Sequence, residues 1–260
     1  MPELPEVENY KKILEEGIYD GVIRSLAVHH PKIVKNDIDF LQEKLIGNRF
    51  TKSQRIGKYL FLKLSSEGWL LLHFGMSGRP VFYQDEALRP KHSRLVIEFR
   101  SGLKFAFVCM RMFGKVEWLP SLKKYREKSQ LGPDALSVKK EDFIQFISGK
   151  KSAIKSILLQ QKGFSGIGNW IADEMLFQTK VNPLIKGNEL SEEKLNLLFK
   201  KMKMILSTAI ECQADFNQFP EDFMVIHRWG DKICPHCKRI LSTIKIGGRS
   251  TYFCSEKQAQ

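Results

Sequence analysis

Three groups of residues in this chain have types and spacing that could do chemistry. The first is the N-terminus, Met-Pro-Glu-Leu-Pro-Glu-Val-Glu over residues 1–8. With Met1 removed, Pro2 carries a free secondary amine. An α-amino group titrates at roughly 7.7–8.0, against about 10.4 for a lysine. A sizeable fraction is therefore an unprotonated nucleophile near neutral pH. Such an amine can attack an electrophilic sugar carbon and form a Schiff base. Glu3 and Glu6 stand within a few residues and can move protons around it. The same residues also read as an ordinary helix start, with Pro5 in the first turn and Glu6 and Glu8 near the positive dipole end.

The second group is C-terminal. Cys234 and Cys237 form a Cys-x2-Cys pair, and Cys254 follows after sixteen residues. A zinc ribbon repeats that pair to place four thiolates in a tetrahedron. Here the fourth position is Lys257. His236 or Glu256 could complete the set, although a residue inside a Cys-x2-Cys turn usually points away from the metal. The alternative is a β-hairpin without zinc, held by Ile240, Ile244, Ile246 and Tyr252.

The third group is scattered. Lys58 lies at the mouth of a strand, where a solvated strand-end lysine is the plain alternative. Met76 lies between Gly75 and Gly78, hence on an exposed turn, a place suited to insertion into a base stack. Asn169 follows Gly166 and Gly168 at a helix start, where it can cap the helix or offer its amide to a phosphate oxygen.

Composition bounds what these groups can serve. Lys plus Arg number 42 against 29 Asp plus Glu, a net charge of +13. That excess favours a polyanionic partner, because each neutralised phosphate releases counterions; a membrane surface would also fit the charge. No apolar run reaches transmembrane length, and the acidic, proline-punctuated start is no signal peptide. A cytoplasmic protein with reduced cysteines is expected, and clustered cysteines then point to metal before disulfides.

The elements that must position these groups follow from periodicity. Val7, Tyr10, Ile13, Leu14 and Ile18 recur at helical spacing. Short β-rich runs follow at 22–28, 59–64, 69–74, 95–99, 103–108 and 115–118, with a second helix at 36–45. The stretch 122–128 is basic and strand-poor. Leu-Gly-Pro-Asp-Ala-Leu at 131–136 reads as an interdomain hinge. Beyond it the pattern turns helical, at 140–147, 152–162 with Lys155 on the polar face, 169–177 and 191–212. An aromatic-rich connection at 215–229 leads to the cysteines.

The first eight residues and Gly-Ile-Gly-Asn-Trp-Ile-Ala-Asp-Glu-Met-Leu-Phe at 166–177 closely resemble the formamidopyrimidine-DNA glycosylase/endonuclease VIII family. The likeness extends over roughly residues 1–258. It implies an α+β fold of two domains: a β-sandwich flanked by helices at 1–130, a hinge at 131–136, a helix–two-turn–helix domain at 137–225 and a degenerate zinc-finger-like hairpin at 226–260. It implies a bifunctional DNA glycosylase and abasic-site lyase. Pro2 would attack C1′, Glu3 would protonate the opening sugar, Glu6 would shuttle protons, and Lys58 would contact the phosphate or sugar beside the lesion. DNA would be met by His73, Met76, Arg111, Phe113, Lys155, Asn169 and Arg249, with Met76, Arg111 and Phe113 filling the stack around an extruded nucleotide. For His73, a hydrogen-bonded strand histidine is the alternative, and for Phe113, packing with Met110 and Met112 at a strand end. Glu174 matches an acid near the family's active site. Cys109-Met110 and Met112 depart from the family's loop. A monomer acting on damaged DNA is expected, with no cofactor in the chemistry, any zinc being structural. A non-catalytic paralogue that binds damaged or branched DNA is the alternative; a general zinc-ribbon binder ignores the N-terminus.

Overall fold

The computed structural model describes residues 1–19 and 21–259, so the hairpin region expected over 226–260 ends one residue outside them. The chain forms two compact units. One comprises Met1–Pro2 and Glu6–Gln130, the other Glu3–Pro5 and Leu131–Gln260.

The first unit is built on two four-stranded antiparallel sheets. Its helix α1 (Leu4–Ile18) buries Val7, Leu14 and Ile18, as the helical spacing requires. One sheet runs in the order β1 (Ile23–Val28), β6 (Ser93–Phe99), β7 (Lys104–Cys109) and β5 (Gly78–Tyr83). The other runs β2 (Phe50–Ile56), β3 (Tyr59–Leu64), β4 (Trp69–His73) and β8 (Lys115–Leu119). Strands β2 and β5 escape a reading by alternation because both are edges. The first is mostly polar, and the second carries Pro80, which a central strand would not tolerate. Helix α2 (Ile38–Leu45) starts two residues later than its periodicity suggests. Asp37 caps it by accepting the Phe40 N–H at 3.1 Å, while Asn36 accepts the Trp118 N–H at 2.6 Å. A cap of this kind contributes about 1 kcal/mol. The basic stretch after β8 is a helix, α3 (Leu122–Ser129), seated by Tyr125 against Phe61 with ring centroids 5.5 Å apart.

The second unit gathers α4 (Lys140–Ser148), α5 (Ile154–Leu158), α6 (Asn169–Gln178), α7 (Glu192–Glu211) and α8 (Met224–His227) around a core that includes Leu4, Phe143, Phe164, Ile171 and Met202. Helix α5 is only five residues long, because the chain turns repeatedly between Leu159 and Gly168. The hairpin β9 (Ser242–Ile246) and β10 (Arg249–Phe253) follows. Among the described residues, no helix is long and apolar enough to cross a membrane.

Candidate active site and nucleic-acid interface

In the second unit Glu3 and the 166–177 block meet. Glu3 is 2% exposed. Its Oε1 accepts the Trp170 N–H at 3.0 Å and its Oε2 the Ile171 N–H at 3.3 Å. Helix α6 has Gly168 at its N-cap and no side-chain cap of its own, so the Glu3 carboxylate supplies the acceptors that its first amides lack. Gly168 is required by contact, since a Cβ there would lie 2.1 Å from Glu3 Cδ. Gln161 shapes the same turn: it accepts the Gly166 N–H at 3.1 Å and donates to the Ile167 carbonyl at 2.8 Å.

Two expectations are corrected here. Asn169 does not cap α6. Its Nδ2 donates to the Ser250 carbonyl in β10 at 2.8 Å, and its Oδ1 is buried without a hydrogen-bond partner. Lys155, expected on a polar face and in contact with phosphate, is closed off from solvent. It is fully buried, donating to the Asn169 carbonyl at 2.9 Å and pairing with the Asp173 carboxylate. The polar side of the short α5 faces another helix. Burial pushes the Lys155 ammonium down and the Asp173 carboxyl up to about 6, each held back by the other's charge. Glu174 caps α8, accepting the N–H groups of Met224 at 3.2 Å and Val225 at 2.8 Å; burial pushes it up to about 7.

Arg249 is exposed and opens β10, next to the Ser250 that holds Asn169. A residue that sequence reasoning missed adds to this cluster. Arg228 follows α8, its charge bears on both Lys155 and Asp173, and its guanidinium lies 4.8 Å over the exposed Trp229 ring. Its Nε is buried without a hydrogen-bond partner. A lone arginine beside a tryptophan in the 215–229 connection was the only signal.

The first unit carries the remaining residues. Pro2 is half-buried behind an exposed Met1, and Glu6 is half-buried in the first turn of α1. Burial and the Glu6 charge push the Tyr10 phenol up to about 12. Lys58, 8% exposed, occupies the turn between β2 and β3. That turn is fixed by Arg55, which donates to the Gly57 carbonyl at 3.0 Å and pairs with Glu8 at 2.5 Å. His73 ends β4 with its ring 4.7 Å from that of Tyr59. Its Nδ1 accepts the Gly75 N–H at 3.3 Å, so the neutral ring carries its proton on Nε2. Burial, with Lys58 and Lys115, lowers it to about 4.

Met76, Arg111 and Phe113 come together on two loops of this unit. A Cβ on Gly75 would lie 2.4 Å from the Phe113 carbonyl group, and the Arg111 N–H donates to Ser77 Oγ at 2.9 Å. Met76 is 40% exposed and Phe113 60%, and the Arg111 guanidinium lies 5.9 Å over the Phe113 ring. Met112 packs against the core, whereas Met110 is exposed. Arg94 braces the loop by donating to the Cys109 carbonyl at 2.8 Å. Packing at the strand end thus accounts for Met112 alone.

In the hairpin, the sulfurs of Cys234, Cys237 and Cys254 lie within 4.8 Å of one another. Three soft ligands at this spacing suit zinc. Ile240 is 74% exposed and does not hold the hairpin; the buried Leu241 packs there instead, with Phe177 and Met224.

Comparison with known proteins accords with this geometry. Residues 1–116 match the N-terminal domain of formamidopyrimidine-DNA glycosylase, 131–220 its H2TH domain, and 232–255 a zinc finger found in that enzyme and in IleRS. The hairpin is thus of zinc-finger type, with structural zinc indicated by its three cysteines. The chain is 32% identical to the formamidopyrimidine-DNA glycosylase of Mycoplasma mobile, over 99% of both chains. It is 33% identical to that of Arabidopsis thaliana, over 99% of this chain and 71% of the relative. The Lactococcus lactis protein solved in complex with DNA containing an abasic site superposes with a TM-score of 0.92 at 27% identity, covering 99% of this chain and 100% of that one. The chain belongs to the formamidopyrimidine-DNA glycosylase/endonuclease VIII family.

Proposed function

We propose that this protein is a bifunctional DNA glycosylase and abasic-site lyase that excises oxidised bases in base excision repair. The observation that carries the reading is the Glu3 carboxylate fixed on the α6 amides, which holds the backbone immediately beside Pro2. Once Met1 is removed, the Pro2 nitrogen attacks C1′, the C1′–base bond breaks and the base leaves with a proton. The Pro2 N–H proton passes to the Glu3 carboxylate, which delivers it to the ring oxygen as the sugar opens, giving the Schiff base, while the departing base takes its proton from solvent. Loss of a C2′ proton expels the 3′ phosphate, and a second elimination expels the 5′ phosphate, with Glu6 moving protons. Hydrolysis then frees Pro2. Lys58 and the His73 Nε2–H serve the phosphates beside the lesion, Arg249 and Asn169 the backbone further along, and Met76, Arg111 and Phe113 the space left in the stack. Asn169 keeps one Nδ2–H on the Ser250 carbonyl and offers the second to a phosphate oxygen. Lys155 braces that turn instead of touching DNA. The steps use only the amine and side chains; the proposed setting is the cytoplasm, as a monomer.

The test is borohydride trapping on duplex DNA containing an abasic site, followed by peptide mapping. A covalent adduct on Pro2 is expected. No adduct from protein lacking Met1 that still binds the DNA would establish the non-catalytic binder.

A further inference from the structure

Among the described residues, the three-cysteine site has no fourth ligand. The described residues add no further histidine, cysteine or carboxylate to the group. Lys257, where the Cys-x2-Cys repeat would end, is exposed. The two other residues that could close the set are engaged elsewhere. The His236 ring packs on Phe177 with centroids 4.9 Å apart, and the Glu256 carboxylate pairs with the Arg239 guanidinium.

The turn that would present a fourth ligand is also fixed. Gln258 is buried; its Oε1 accepts the Cys254 N–H at 2.8 Å and its Nε2 donates to the Val181 carbonyl at 2.8 Å. The opposite knuckle is held by Cys234, whose N–H donates to the Arg239 carbonyl at 2.7 Å. These bonds fix the backbone of both turns, so a fourth protein ligand would have to come from a side chain already at Cys-x2-Cys spacing, the position that Lys257 holds.

We propose that this finger is a zinc site of open coordination, in which Cys234, Cys237 and Cys254 bind as thiolates and the fourth position is filled from solution. Structural zinc sites are commonly closed by four protein ligands, whereas a zinc held by three keeps an exchangeable position even where it also holds the fold. Binding releases three thiol protons and leaves a zinc–thiolate group of net charge −1. Water fills the fourth position by default, and a small thiolate displaces it because sulfur is the softer donor. The inference does not depend on the reaction proposed above.

The test uses the full-length protein, stripped of metal and kept reduced with a phosphine, with Co²⁺ as a spectroscopic probe and Zn²⁺ as competitor. One cobalt per chain is expected, with the charge-transfer intensity of three sulfurs. Added 2-mercaptoethanol should raise that intensity and shift the visible bands. Lys257→Cys changes only an exposed side chain; it should show four-sulfur intensity without added thiol, ignore the thiol, and bind zinc more tightly on the order of a hundredfold. Cys237→Ser should lose most of the affinity. Two results would overturn the inference. One is a wild-type spectrum that added thiol does not move, which means that the chain closes the site itself. The other is no stoichiometric cobalt or zinc, which means that the hairpin is metal-free.

Discussion

The Glu3 carboxylate occupies the space that a side chain on residue 168 would need: a Cβ there would sit 2.1 Å from Glu3 Cδ and 2.3 Å from Oε1. A glycine 165 positions away thus permits the residue beside Pro2 to dock on the amides of Trp170 and Ile171. This joins the two stretches that read most clearly in the sequence, and it explains why they belong together.

Gly168→Ala should therefore evict Glu3 from α6. The cost is about 1–3 kcal/mol from the forced shift, seen in urea unfolding. Borohydride trapping on abasic DNA should fall far more than DNA affinity, because the phosphate-facing groups remain. Equal losses in both would mean that Glu3 serves only to hold the fold.

The exposed group formed by Met76 and Phe113 gives a different signature. Phe113 is 60% exposed, so Phe113→Ala should leave stability within about 0.5 kcal/mol. If its ring stacks in the duplex, affinity for DNA containing an abasic site should fall by about 1–3 kcal/mol, a typical stacking contribution. Calorimetry on the free protein and titration with labelled duplex separate the two effects. Unchanged affinity would remove Phe113 from the interface.

Much of this arrangement was legible in one dimension. The N-terminal motif and the 166–177 block carry their own spacing, and Met76 between glycines announces a turn. Other features depend on partners that periodicity does not name. Lys155 reads as polar-face because the pattern marks a polar side without revealing that Asp173, eighteen residues on, fills it. Helix α3 has too few apolar residues to show a stripe, and Tyr125 seats it against Phe61. Arg228 gains its place from the cap that Glu174 puts on α8, a contact spanning about fifty residues of chain.

His73 should write itself into the stability profile. Its imidazole takes a proton near 6.5 in the unfolded chain but only near 4 when folded. Between those values the unfolded state binds more protons, so stability rises with pH from 4 to 6.5 and levels off above. The full span corresponds to about 3 kcal/mol. His73→Gln should remove that share, narrowing the difference between urea midpoints at pH 4.5 and pH 7. Parallel profiles for the two proteins would show that His73 is not desolvated as described.

The buried pair of Lys155 and Asp173 separates a bracing role from a phosphate contact. Lys155→Met strands a carboxylate that is 1% exposed, and breaking a buried pair in this way costs about 3–5 kcal/mol. Removing both charges, as Lys155→Met with Asp173→Leu, should restore most of that loss, because no unpaired charge is left. The double variant is the one to titrate with DNA across salt concentrations. Each phosphate contact contributes about 0.9 to the slope of log K against log salt. A brace makes no such contact, so the slope should match that of the wild type even where affinity falls. A slope reduced by about one unit would return Lys155 to the phosphate.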